Sequence, residues 1–157
     1  MVFWLVFQLN YANFNMPVLY SVHPRAQRAI DTYEVKLNPL VRMHEPFGFS
    51  DFIALQQNAF CVVSDSGTLA EESSILGFPA VSARTSTERQ EAIDRGGMMI
   101  GGIGKTAIVQ AVDMATRLKD APSSAVLDYT DSNVSVKVCK IIQGYTDVVN
   151  RMIWRKQ

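Results

Sequence analysis

The fold is decided by Ser64-Asp65-Ser66-Gly67-Thr68-Leu69-Ala70-Glu71-Glu72. The apolar run Phe60–Val63 precedes this stretch and predicts a buried strand, and the small polar residues that follow predict a tight turn. Apolar residues then recur at helical spacing until Gly77 and Pro79, which predict the end of a helix. The stretch therefore predicts a strand, a loop and a helix in succession.

This junction is typical of a site that binds an anion. A strand-to-helix loop directs unpaired backbone N–H groups and the positive end of the helix dipole beyond the carboxyl end of the strand. Gly67 lets a ligand approach the backbone closely. Glu72, about one turn into the helix, is expected to be partly buried and to accept hydrogen bonds from ligand hydroxyls. The alternative is a purely structural helix start, in which Thr68 and Glu71 form a capping box.

Strands and helices alternate along the chain. Strands are predicted over residues 17–21, 41–45, 60–63, 80–83 and 98–100, and a long amphipathic helix over 134–154. This alternation predicts an α/β protein with a Rossmann-like parallel sheet covered by helices on both faces. The length of 157 residues predicts one domain, residues 1–157. Residues 3–14 have no polar face, and their secondary structure stays open.

Composition excludes several classes of partner. Fifteen basic and fifteen acidic residues give no net charge, so no nucleic-acid partner is expected. The two cysteines lack the spacing of metal ligands and predict buried thiols in a reducing compartment, the cytoplasm. The first 24 residues are uncharged, but their apolar run is far shorter than the about 20 residues of a membrane span. A basic n-region and a cleavage pattern are also missing, so neither membrane association nor a signal peptide is expected.

Polar side chains gather in the loops after the predicted strands, where parallel sheets bind ligands. His23 and Arg25 follow the first strand, and Arg89 follows the fourth. Guanidinium groups and a helix N-terminus suit a diphosphate, and the carboxylate of Glu72 suits sugar hydroxyls. The structural alternatives are a solvated loop histidine and two surface arginines.

The glycines of Gly101–Ala107 raise the question of a second phosphate site. A Walker loop needs a glycine where Met99 stands. A dinucleotide fold needs an acidic residue at the end of a strand about 20 residues later, whereas Asp120 is predicted to end a helix. Gly101 and Gly102 are therefore predicted to form a tight strand-to-helix turn. His44, inside a predicted strand, is interpreted as structural.

Three motifs resemble a known family: Ser21-Val22-His23-Pro24-Arg25, the stretch Ser64 to Glu72, and Thr85-Ser-Thr-Glu-Arg89. Together they are similar to the non-hydrolysing UDP-N-acetylglucosamine 2-epimerases. The end of the chain, Asn150–Lys156, looks most like the branch that makes UDP-N-acetyl-L-fucosamine for bacterial surface polysaccharides. The resemblance covers nearly the whole chain from Pro17. It implies one UDP-binding domain, the C-terminal half of a GT-B fold, without the N-terminal half that carries the acid and base carboxylates.

The resemblance also implies a role for each matching residue. His23 is expected to line the catalytic cleft, and the residues expected to bind the substrate are Arg25, Phe52, Ser66, Gly67, Thr68, Glu72 and Arg89. Among these, Ser66, Gly67 and Arg89 are assigned to the diphosphate. Glu72 is assigned to the ribose and Phe52 to the uracil. Thr68 stands where many members have a second glycine, and Phe47 stands where some have a polar contact to the uracil.

The family reaction, as the resemblance implies it, removes the C2 proton and eliminates UDP, then adds UDP back after protonation on the other face. It requires no nicotinamide and no metal. The chain alone is expected to bind UDP or a UDP-N-acetylhexosamine weakly, without turnover, and to need the N-terminal domain or a second chain that supplies it. The alternatives are a GT-B glycosyltransferase subunit and a non-catalytic module, which would form a homodimer through the apolar N-terminal segment and the C-terminal helix.

Overall fold

The computed structural model describes residues 14–121 and 126–156. The chain divides into two compact units, Met1–Val126 and Leu127–Gln157. The first unit contains all the strands of the described residues. The segment 3–13, which the sequence left open, and the start of the loop predicted from Pro122 lie outside the described residues.

Five short strands form two parallel sheets in the described part of the chain. β1 (Val18–Ser21) pairs with β2 (Val41–His44). The other sheet has the order β3 (Val62–Ser64), β4 (Ala80–Ser82), β5 (Met99–Ile100). The predicted α/β class is therefore confirmed, although hydrogen bonding divides the strands between two sheets where one was expected.

A helix follows each strand of the first unit. These helices are α1 (Pro24–Thr32), α2 (Phe49–Gln57), α3 (Leu69–Leu76), α4 (Gln90–Asp94) and α5 (Lys105–Arg117). Strictly alternating strands and helices with parallel pairing bring the loops that follow the strands of one sheet to the same edge of that sheet. The candidate site residues come from these loops and from the first turns of the helices.

β3 begins two residues later than predicted. Val62 N–H donates to Pro79 O (2.9 Å), and Ala83 N–H donates to Ser64 O (2.9 Å), so the ladder with β4 spans Val62–Ser64. Phe60 stands outside the ladder and packs its ring against Phe14, with ring centroids 5.8 Å apart. The apolar residue that began the predicted strand therefore contributes to side-chain packing and not to the sheet.

The main core lies between β4 and α5. Val81 and Ile108 are 0 % exposed, and Val112 is 2 % exposed. A Cβ atom at Gly101 would lie 2.7 Å from Val81 Cγ1, closer than packed atoms approach one another. Gly102 has a φ of +66°, which favours glycine. The predicted tight turn between β5 and α5 is confirmed. The close approach of Val81 explains the glycine at 101, and the positive φ explains the glycine at 102.

The two cysteines differ in burial. Cys61 is partly buried, and burial raises the pKa of its thiol to about 12. Cys139 is exposed, so the prediction of a buried thiol is wrong for this residue. At about pH 8 roughly one Cys61 thiol in 10,000 is ionised, and the thiolate is the reactive form. We therefore expect a thiol reagent to label Cys139 rapidly and Cys61 hardly at all. Rapid labelling of folded Cys139→Ser protein, followed by absorbance, would contradict this prediction.

The second unit contains a short 3-10 helix, Leu127–Tyr129, and a long helix, α6 (Val134–Met152). The predicted C-terminal helix is thus present and ends at Met152. Many of its large apolar side chains are exposed: Val134, Val136, Val138, Ile141, Ile142, Tyr145, Val148 and Met152. Among the described residues, the helices are all too short or too polar to cross a lipid bilayer.

Candidate functional site

The loop after β3 presents free backbone N–H groups at the start of α3. Ser66 N–H donates to Ser64 Oγ (3.0 Å). Within the described part of the chain, the N–H groups of Gly67 and Thr68 have no hydrogen-bond acceptor. Ser66 and Thr68 are exposed, and their hydroxyl oxygens lie 3.0 Å apart. The loop therefore offers two amide donors and two hydroxyls together at the positive end of a helix.

The alternative of a capping box is wrong. Thr68 precedes α3 with helical backbone angles, φ −68° and ψ −12°, and its side chain makes no capping hydrogen bond. Glu71, the other member of the proposed box, instead accepts a hydrogen bond from Arg89 Nε at its Oε1 (2.5 Å). The charge of the arginine draws the carboxylate away from the start of the helix.

This ion pair positions Arg89 beside α3. The two side chains are 33 % and 29 % exposed, and Glu71 Oε2 is buried without a partner among the described residues. Arg89 Nη1 also lies 3.8 Å from Glu88 Oε1. Carboxylates of the protein therefore hold the guanidinium that is expected to bind the diphosphate. One of them, Glu71, directly precedes Glu72 in α3.

Glu88 covers the glycine of the loop. Its Oε1 lies 3.2 Å from the position of a Cβ atom at Gly67, so the loops after β3 and β4 are in contact. Arg84 Nη1 donates to Glu88 Oε2 at 3.1 Å. The backbone N–H of Glu88 and then Arg84 hold the pKa of this exposed carboxyl below its usual value. Sequence reasoning did not single out Glu88.

Glu72 is partly buried, as predicted, and is held by α2. Gln56 Nε2 donates to Glu72 Oε2 at 2.5 Å. Phe52 is partly buried and lies one turn before Gln56, on the same face of α2. The structure thereby brings Phe52 and Glu72 to adjoining helices. Sequence reasoning did not identify Gln56 as the partner of Glu72, although a polar residue within the apolar face of a helix indicates a buried hydrogen bond.

His23 and Arg25 lie in the loop after β1. His23 is the N-cap residue of α1, and its Nδ1 accepts a hydrogen bond from Arg25 N–H (3.2 Å). Both side chains are exposed, and the hydrogen bonds described for them stay within their own loop. The structure leaves open the predicted convergence of these two residues with the β3 loop.

One electrostatic interaction connects β1 to the β3 loop. Burial, and next the negative charge of Asp65, raise the pKa of Tyr20 above its usual value. Asp65 belongs to the loop that carries Ser66 and Gly67, so this loop lies close to the end of β1. Among the described residues, no group of histidine, cysteine, aspartate and glutamate side chains is arranged to hold a metal ion.

The comparison with known families agrees with this geometry. The family model of UDP-N-acetylglucosamine 2-epimerase matches residues 2–143. The chain belongs to the UDP-N-acetylglucosamine 2-epimerase family. The resemblance carried by the three sequence motifs is thus confirmed at the level of the family, and the branch stays a prediction.

Relatives in this family are considerably longer than the chain. The UDP-N-acetylglucosamine 2-epimerase of Methanocaldococcus jannaschii is 29 % identical over 68 % of this chain and 30 % of its own length. The structure of the epimerase from Rickettsia bellii is 32 % identical, with a TM-score of 0.78 over 99 % of this chain and 44 % of that chain.

A solved structure of the M. jannaschii epimerase, in complex with UDP-GlcNAc and UDP, is 24 % identical, with a TM-score of 0.76 over 88 % of this chain and 38 % of that chain. At this identity the likeness shows the fold alone. The chain spans less than half the length of these relatives, so it corresponds to a part of the epimerase fold.

Proposed function

We propose that this chain is the UDP-binding, C-terminal part of a UDP-N-acetylglucosamine 2-epimerase-like enzyme. The observation that carries the proposal is the start of α3. The free N–H groups of Gly67 and Thr68 precede this helix, Glu72 lies in its first turns, and Arg89 from the next loop is paired with Glu71. Amide and guanidinium groups bind phosphates, and a carboxylate binds hydroxyls. Phe52 adds an aromatic ring for the uracil.

These groups suit a reaction in which UDP leaves the sugar and returns. Negative charge grows on the diphosphate as its bond to the sugar breaks, and Arg89 and the positive end of α3 stabilise that charge. The same contacts keep UDP bound until it is added back. His23 is proposed to line the cleft in which the sugar is held, and Arg25 to contribute a second positive charge.

The acid and base carboxylates are proposed to lie in the N-terminal half of the enzyme. The partner of this chain is then that domain, or a second chain that supplies it. The free thiols Cys61 and Cys139 support a reducing compartment, the cytoplasm. A UDP-N-acetylhexosamine is the proposed substrate, and its use in surface polysaccharide synthesis stays a prediction.

Calorimetry with the isolated chain tests the proposal. We expect UDP to bind and free N-acetylglucosamine to release no heat, because the proposed contacts are to the nucleotide. We also expect no epimerisation of UDP-N-acetylglucosamine, followed by chromatography of the sugar products. Absence of any heat with UDP would contradict the binding site, whereas turnover by the isolated chain would contradict its dependence on an N-terminal half.

A further inference from the structure

Gln56 is a polar side chain at a position where packing alone favours an apolar one. It is 3 % exposed, whereas its neighbour Gln57 on α2 is exposed. Its Oε1 is buried and has no hydrogen-bond partner among the described residues. A buried, unpaired carbonyl destabilises a folded protein. The unpaired carbonyl therefore does not explain the presence of the amide, and the contribution of Gln56 comes from its NH₂ half.

The other half of the amide faces Glu72. Gln56 Nε2 donates to Glu72 Oε2 at 2.5 Å, between α2 and α3. An ionised carboxylate only accepts hydrogen bonds, so the amide presents its NH₂ group to Glu72 and directs its carbonyl away. The bond fixes one oxygen of the carboxylate and leaves Glu72 Oε1 for a second donor.

We propose that Gln56 is a positioning residue, whose amide holds the Glu72 carboxylate in the orientation that accepts hydrogen bonds from the ribose hydroxyls of UDP. The inference rests on the proposed function, since it requires UDP at the start of α3. Gln56 acts through Glu72 and does not touch the nucleotide.

The test compares two nucleotides by calorimetry on the full chain: UDP and 2′,3′-dideoxy-UDP, which lacks both ribose hydroxyls. Loss of a hydrogen bond to a charged group weakens binding about tenfold or more, and this ratio is expected for the wild type. Gln56→Met keeps the side-chain length but removes the donor. We expect it to remain folded and to bind both nucleotides with nearly equal affinity. The matched control, Gln57→Met on the exposed face of α2, is expected to keep the wild-type ratio.

A second variant, Gln56→Glu, provides a readout that a purely structural role would not change. Two carboxylates at this distance repel each other when both are ionised and share a proton when the pH is lowered. Burial and the neighbouring charge delay the ionisation of the second carboxyl, so the affinity ratio of the two nucleotides is expected to rise as the pH is lowered from about 9 to about 6. The ratio cancels the titration of the diphosphate, which both nucleotides share.

The outcomes distinguish a failure of the proposed UDP binding from a failure of the positioning role of Gln56. A wild-type chain that binds neither nucleotide overturns the proposed function and this inference with it. A wild-type chain that discriminates, together with a Gln56→Met chain that discriminates equally well, overturns the positioning role alone. If Gln56→Met fails to fold, the pH dependence of Gln56→Glu decides: a ratio that does not change with pH also overturns the role.

Discussion

The variant Arg89→Ala is expected to bind UDP about 100-fold more weakly than the wild-type chain. A guanidinium makes two charge-assisted hydrogen bonds to a phosphate, each contributing about 1.5 kcal/mol or more, and 1.4 kcal/mol corresponds to a factor of ten in affinity. The ion pair with Glu71 positions Arg89 for this contact. Calorimetric titration with UDP measures the loss, and titration with inorganic pyrophosphate should show a similar factor, because the contact is assigned to the diphosphate.

Two further variants control for charge and for folding. Arg95→Ala removes the same charge at the C-cap of α4 and is expected to leave UDP affinity unchanged. Arg89→Lys keeps the charge but loses the planar pair of donors, so an intermediate affinity is expected. The pair of Arg89 and Glu71 is about one-third exposed and contributes at most about 1 kcal/mol to stability. Equal affinities of Arg89→Ala and Arg95→Ala would refute the assignment.

Ile108→Ala is expected to lower the free energy of unfolding by roughly 2–5 kcal/mol. Ile108 is 0 % exposed and belongs to the core formed by β4 and α5, together with Val81 and Val112. Truncation leaves a cavity that rigid neighbours on a strand and a helix fill only partly. Urea denaturation followed by circular dichroism measures the change.

The matched control for this prediction is Ile103→Ala. Ile103 lies five positions earlier in the chain and is 49 % exposed, so its truncation removes little buried surface. A change of at most about 0.5 kcal/mol is expected. Similar losses for the two isoleucine variants would show that the core between β4 and α5 does not determine the stability of the first unit.

Secondary structure was largely predictable from the sequence because the short strands and the helices have different periods. The alternation identified five strands and the helices between them, including α3, which begins two residues after Gly67. The start of β3 was not predictable, since it depends on the register with β4, where Val62 pairs with Ala80. Register is set by tertiary contacts that the local pattern does not contain.

Sequence reasoning selected the residues of the candidate site but not their hydrogen-bond partners. Local sequence placed Glu72 in the first turns of a helix, and the motifs singled out Arg89. Capping rules paired Glu71 with Thr68, but the arginine from another loop attracts that carboxylate more strongly than a threonine does. The bond from Gln56 to Glu72 joins residues 16 positions apart, and such a pair follows only from the packing of two helices.

The N-cap hydrogen bond of α1 limits the chemistry of His23. Its Nδ1 receives the N–H of Arg25, so that nitrogen carries a lone pair and the proton of the neutral imidazole resides on Nε2. While the cap is intact, Nε2 of the neutral ring cannot abstract a proton from a sugar. In the proposed reaction we therefore expect His23 only to donate a hydrogen bond, through Nε2–H.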